Sequence, residues 1–214
     1  MKKTSNQYSK WFILKNFGIV NLFKIIPERF FSINHLYVAK LNLKKLNPDL
    51  SYPKPQGTLG LIQPEDFSWI RTHLHDLNSQ DKRDLLSRIH FYNNGFHGCY
   101  VIKIDDEITC LQWLIEPGEN SVIDRHYKRV FYRLHDKEVI MDNVFTFPQY
   151  RGRGYMTFIS KSLLKIAIEK GYTTAVTYIR KDKISTLNEI LSMGFKLTRL
   201  LREIKFLGFS LRNL

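Results

Sequence analysis

The sequence predicts an α/β (α+β) fold built on a sheet of about six to seven strands and preceded by a basic helical and strand extension. Three observations predict it. Short β-branched and aromatic runs alternate with amphipathic helical runs from residue 57 onward. A Pro-rich stretch, Pro48, Pro53, Pro55 and Gly57, separates that region from what precedes it. The 214 residues, 43% hydrophobic and 25% charged, suffice for one domain with its own core plus an extension and exclude wholesale disorder.

In chain order, residues 1–56 read as the extension and residues 57–214 as the domain. Trp11 to Ile26 carries apolar residues on most sides of a helix, and Pro27 ends or kinks it. Such a segment either packs into the domain or lies on a membrane interface with its lysines toward head groups. Leu36–Leu43 reads as a strand. Beyond the linker, Thr58–Ile62 reads as a strand, and Pro64-Glu65-Asp66 opens a helix to about Leu77, with acids at its positive end. A helix over Lys82–Asn93 stops at Asn94-Gly95. Cys99–Ile104 and Ile108–Ile115 form a hairpin around Asp105-Asp106-Glu107. A polar, aromatic and basic stretch covers 116–137. Val139–Phe147 is a strand closed by Pro148, and Gly154–Lys170 a helix with Ile159, Leu163 and Ala167 on its apolar face. Thr173–Ile179 is a strand, Ser185–Met193 a helix ended by Gly194, and Lys196–Leu211 holds one or two closing strands.

The charge is strongly uneven. Thirty-three Lys and Arg against 20 Asp and Glu give +13. Residues 1–56 contribute +8, residues 57–150 contribute −4 and residues 151–214 contribute +9. Both ends therefore suit an anionic partner: a membrane surface, a phosphate-rich small molecule or nucleic acid. Cys99 and Cys110 form neither a disulfide framework nor a metal-type pair and read as small buried hydrophobes. Lys15, Lys24, Glu28 and Arg29 interrupt the most apolar stretch, so neither a span nor a signal peptide is expected. The expected location is cytoplasmic, with peripheral contact at the inner membrane face left open.

The chemistry concentrates at Val144-Phe145-Thr146-Phe147-Pro148-Gln149-Tyr150-Arg151-Gly152-Arg153-Gly154-Tyr155. A strand ends, a glycine turn folds the backbone so that successive N–H groups point inward, and a helix starts with its partial positive charge. Arg151 and Arg153 add formal charge. The arrangement suits a pyrophosphate, and it is neither a P-loop nor a dinucleotide fingerprint.

Gln149-Tyr150-Arg151-Gly152-Arg153-Gly154 resembles the Q/R-x-x-G-x-G/A motif of the GCN5-related N-acetyltransferases. Lys183 to Phe195 looks like that family's later helix ending in Gly-Phe, and Leu61-Ile62-Gln63-Pro64-Glu65-Asp66 like its first strand and helix start. The resemblance covers about three quarters of the chain, is most specific over 139–196, and is absent in 1–56.

It implies a mixed central sheet with helices on both faces, and an enzyme that moves an acetyl or other acyl group directly from a coenzyme A thioester to an amine acceptor. No metal is implied. By position, backbone groups of Phe145 and Phe147 would meet the pantetheine arm. Backbone N–H groups of Arg151, Gly152, Arg153, Gly154, Tyr155 and Met156 would hold the pyrophosphate. Ser185, near the start of the later helix, would lie along the cofactor's other side. Lys183 stands where the family often has Asn, and Ile190 where many members have a proton-donating Tyr.

For the general base, Asp142 is the leading candidate, because it interrupts an apolar strand beside the motif. Glu138 and His135 are weaker candidates, more consistent with solvated positions. Trp113 reads as core, and Asp124–Arg133 as an extra strand or loop with a solvated face. The partners left open are an anionic membrane surface for residues 1–56 and further copies of the chain. Nucleic acid loses ground once coenzyme A accounts for part of the C-terminal charge. An alternative remains a non-catalytic module of this fold that binds an anionic surface or nucleic acid. Another is an acyltransferase for membrane-linked or amino-sugar acceptors.

Overall fold

A computed structural model describes residues 32–46, 55–206 and 209–214. The expectations placed on residues 1–31, including the apolar helix, lie outside the described residues, as does most of the Pro-rich linker. Eight strands form one sheet: β1 (Ser32–Asn42), β2 (Thr58–Leu61), β3 (Cys99–Ile104), β4 (Glu107–Ile115), β5 (Glu138–Thr146), β6 (Thr174–Arg180), β7 (Lys196–Phe206) and β8 (Phe209–Arg212). Among the described residues, four α-helices of nine residues or more accompany it: α1 (Pro64–Thr72), α2 (Ser79–Asn93), α3 (Tyr155–Glu169) and α4 (Ile184–Ser192). The sheet order is β2-β3-β4-β5-β6-β1-β7-β8, with β5 and β6 parallel and the other neighbours antiparallel.

Period-two alternation sorts the core onto two faces. Leu36, Val38, Leu111, Trp113, Ile140, Val176 and Leu201 look toward α1, α2 and the 120–134 segment. Ala39, Leu41, Cys110, Leu114, Val139, Met141 and Ala175 look toward α3 and α4. The helix ends follow their local chemistry. Asn78 caps α2, its side chain accepting from Gln80 N at 3.0 Å and Asp81 N at 2.9 Å. Gln63 and Asp66 form a reciprocal capping box on α1. Asp105 and Asp106, at φ +46° and +67°, turn the β3–β4 hairpin with the right-handed twist both strands need.

β1 changes the domain boundary. The extension expected to end at residue 56 contains a strand deep in the sheet, paired with β6 through Val38–Tyr178 and with β7 through Val38–Arg199. Its two-sided burial fits a central position: Leu36 and Val38 are buried on one face, Ala39 and Leu41 on the other. Composition hid this, because Lys40, Lys44 and Lys45 gave the stretch the basic look of an arm. Lys40 is drawn into the fold, 3.1 Å from the buried Glu138 carboxylate and above the Tyr132 ring.

The 116–137 stretch is a succession of short helical turns. Tyr127 and Phe131 turn inward and meet Phe91 and Phe96, so this aromatic and basic text is packing on one side and solvated charge on the other. Trp113 is buried, and its indole N–H donates to Phe96 O at 3.0 Å. Cys99 and Cys110 are buried free thiols; burial pushes the Cys110 thiol up to about 12. No helix among the described residues is long and apolar enough to cross a membrane.

Candidate functional site

The site begins where two parallel strands separate. β5 and β6 pair at Glu138–Thr174, Val139–Ala175 and Ile140–Val176, and then the ladder stops. β5 continues beside β4 as far as Thr146, and β6 beside β1 as far as Arg180. Between them a cleft opens toward the C-terminal ends of both strands.

A bulge reshapes β5 at the point of parting. Leu111 faces Phe145 while Trp113 faces Asp142, so Asn143 and Val144 together oppose Gln112. Asn143 takes φ +58°, a conformation Asn tolerates better than most residues. Arg88 of α2 holds the bulge: Nε donates to Asn143 O at 2.8 Å and Nη2 to Val144 O at 2.7 Å, while Nη1 donates to Asp84 O at 2.7 Å. Its guanidinium also lies over the Phe145 ring, 5.2 Å from the centroid. Burial lowers the Arg88 pKa from its ordinary value, against the pull of Asp84 and Asp142. Arg88 had a sequence signal: it falls on the apolar arc of α2, flanked by Leu85 and Ile89.

The glycine turn stands at the mouth of the cleft. After a 3₁₀ turn over Pro148–Tyr150, Gly152 (φ +74°) and Gly154 (φ +80°) turn the chain into α3 through left-handed conformations. A Cβ built on Gly152 meets nothing within 4 Å, so the turn borders open space. Among the described residues, no N–H from Gly152 to Met156 donates to a backbone carbonyl. Five donors thus gather at a helix N-terminus, a fit for an anionic diphosphate.

Arg151 is placed differently from its expected role. Its N–H donates to Pro148 O at 3.3 Å, closing the 3₁₀ turn. Its guanidinium is held by Asp81 at 2.5 Å and donates to Thr146 O at 3.1 Å. It therefore ties the motif to α2. Arg153 stays exposed, 5.7 Å from the Tyr150 ring centroid, and keeps its charge at the mouth.

Phe145 and Phe147 also depart from expectation. Phe147 N donates to Thr109 O at 3.0 Å, and antiparallel alternation then directs the backbone groups of both residues at β4. Thr146 is the residue in this pair of turns whose backbone points away from β4, and its carbonyl already meets Arg151. The two rings pack edge to face on the α1/α2 side.

α4 closes the other flank. Ser185 is exposed in its first turn. Thr157 of α3 hydrogen-bonds Glu189 of α4, so the two helices meet beside the cleft. Burial raises the Glu189 pKa above its ordinary value. Ile190 is buried in the α3/α4-side core and supplies no proton.

Asp142 lies on the opposite, α1/α2 side, one residue before the bulge. Its Oδ1 accepts from Asn143 N at 2.7 Å. Burial raises its pKa, while Arg212, the Asn143 N–H and Arg88 pull it back down. Beside it the ring of Tyr178 stacks with Arg212, 5.0 Å from guanidinium carbon to centroid. The Tyr132 and Tyr178 hydroxyls are buried and have no hydrogen-bond partner among the described residues. Arg212 is itself fixed by Glu203 at 2.9 Å and by Val130 O at 2.9 Å. The weaker base candidates lie elsewhere: Glu138, at the paired end of β5, is engaged by Lys40, and His135 is exposed in a loop. No group of three or more metal-binding side chains gathers among the described residues.

The fold that carries this cleft is that of GCN5-related acetyltransferases. A GCN5-related N-acetyltransferase from Sphaerobacter thermophilus is similar over 89% of this chain and 58% of its own, with a TM-score of 0.52 at 10% identity. A GCN5-related glucosamine N-acetyltransferase region of a fungal multi-domain GH3 β-N-acetylglucosaminidase is similar over 86% of this chain and 22% of its own, at 0.57 and 13%. A Drosophila protein is similar over 89% of this chain and 58% of its own, at 0.57 and 11%. The chain thus spans less than two thirds of the length of each of these proteins. At these identities the likeness is one of fold. No family model matches the sequence, and no curated protein matches it.

Proposed function

We propose that the chain is an N-acyltransferase that moves an acetyl or other acyl group from a coenzyme A thioester to an amine. The observation that carries this reading is the occurrence of two features around the parting of β5 and β6: a row of unengaged backbone donors at the start of α3, and the half-buried Asp142 carboxylate on β5 beside the bulge.

In this reading the N–H groups of Gly152 to Met156 hold the pyrophosphate, and Arg153 adds a mobile positive charge. The gap-facing backbone around Thr146 meets the pantetheine arm, and Ser185 borders it from α4. Bound there, the thioester supplies an activated acyl carbonyl. Arg88 keeps the bulge in one conformation by occupying two of its carbonyls, so the neighbouring N–H groups are fixed in direction. Asp142 accepts the proton that an ammonium acceptor must lose before it can attack, and its raised pKa brings it closer to that task. Ile190 leaves the departing thiolate to another donor, solvent included.

Calorimetric titration with coenzyme A and acetyl-CoA tests the donor site. Saturable heat is expected, and absence of binding at about millimolar ligand, where even a site worth only ~4 kcal/mol would be half filled, refutes it. Release of free thiol across a panel of polyamines, amino sugars, aminoglycosides and peptides then identifies the acceptor class. Glucosamine belongs in that panel because one protein of similar fold carries that activity in its name.

A further inference from the structure

The described residues cover only half of one face of the sheet. On the α3/α4 side, α4 lies over the second half of β1, where Ala39 and Leu41 are buried and a Cβ built on Gly194 would touch Leu41. Among the described residues, no helix lies over the first half of β1 and the facing residues of β7. In register there, Tyr37 faces Leu200 and Ala39 faces Leu197. Ile33 precedes Tyr37 on the same face by strand alternation.

Five of the seven large hydrophobic residues exposed among the described residues fall in this region: Ile33, Ile184, Leu191, Leu197 and Leu200. Leu200 is 47% exposed and Ile184 58%. The α4 pair belongs to the floor's border by helix geometry. Glu189 is held by Thr157 of α3, and a 100° step per residue sets Ile184 and Leu191 on the opposite flank of α4, away from α3 and toward β7. An apolar strip with a side wall results, larger than scattered surface leucines would make.

The geometry points to residues 11–26 of the same chain as its occupant. The sequence reading leaves this segment apolar on most sides, a composition that requires cover along more than one flank. The chain that follows it enters the sheet at Ser32, next to Ile33 at the edge of the bare strip. Only residues 27–31 intervene, so the segment is tethered within a few residues' reach of the surface. A helix of sixteen residues measures about 24 Å, comparable to the length of β7 that stands uncovered.

Limited trypsin digestion of the full chain tests this, read as the rates of cleavage after Lys15 and Lys24. Two variants are compared with wild type: Leu197→Asp/Leu200→Asp, at exposed positions that the core does not use, and Leu14→Asp, which leaves the sheet untouched. Wild type is expected to be cut roughly tenfold or more slowly than either variant, since cleavage follows the population of the undocked segment. Equal rates in all three overturn the assignment. So does protection that disappears on dilution, which would make a second copy the occupant. Protection that appears only with phosphatidylserine vesicles also overturns it, in favour of an anionic membrane.

Discussion

Arg212, close to the end of the sequence, is expected to be worth more to the fold than its position suggests. Its side chain is 10% exposed and that of Glu203 is 3% exposed, so the pair is withdrawn from water. The guanidinium donates to Glu203 Oε1 at 2.9 Å and to Val130 O at 2.9 Å, and stacks over Phe131 and Tyr178 at 5.5 and 5.0 Å. Replacing Arg212 with Ala leaves a buried carboxylate supported by Asn34 at 3.3 Å and Lys205 at 3.5 Å alone. Breaking one side of a buried pair costs about 3–5 kcal/mol; these two remaining partners place the estimate near the lower end, at about 3 kcal/mol. Urea unfolding of Arg212→Ala, Glu203→Gln and the double variant measures it. The double variant should recover part of the loss, because an amide is cheaper to bury unpaired than a carboxylate. The sign with pH is fixed. Burial pushes the Glu203 pKa up, but Arg212, Lys205 and Asn34 outweigh it and hold it below its ordinary value. Its contribution is therefore present above the ordinary carboxylate range and lost as pH falls through the depressed folded value. Without Arg212 the depression weakens, so the gap between wild type and variant should narrow on acidification. A loss under about 1 kcal/mol at neutral pH, the scale of an exposed pair, refutes the reasoning, as does a gap independent of pH.

Two further substitutions test the site. Gly152→Asn and Gly152→Asp both place a side chain in open space at φ +74°, which either residue tolerates comparably, so their difference isolates charge. Coenzyme A affinity should fall at least about tenfold further for Asp than for Asn, and equal affinities would remove the turn from phosphate binding. Asp142→Asn should lower turnover by about 100-fold or more with coenzyme A affinity unchanged, and unchanged turnover would end its role as base. Because burial raises the Asp142 pKa, its ionised form opposes folding, and stability falls as pH rises through the window above the ordinary Asp value. Melting temperatures of Asp142→Asn relative to wild type should therefore rise with pH across that window.

Much of the fold is legible in the sequence because it is written locally. The glycine turn, the Asp105-Asp106 hairpin and the apolar stripe of α3 each follow from a few neighbouring residues. β1 is legible as a strand but not as a central one, since the partners of a strand are named nowhere in its own residues. The site divides in the same way. Gly152 and Gly154 announce themselves, whereas the attachment of Arg151 to Asp81 and of Arg88 to the Asn143 bulge depends on α2 lying across β5. The bulge also decides which backbone groups face the cleft, and nothing in Asp142-Asn143-Val144 marks it beyond an Asn suited to a left-handed turn.

The position of β1 bears on how the chain comes together during synthesis. Val38 leaves the ribosome 140 residues before Tyr178 and 161 before Arg199, the residues it pairs with on either side. Until then both of its edges have no native neighbour. Such long-range closure slows folding and prolongs the exposure of unpaired edges. The cleft between β5 and β6 can form only once β6 has been made and has found β1, more than 130 residues behind it, so the site matures late in synthesis.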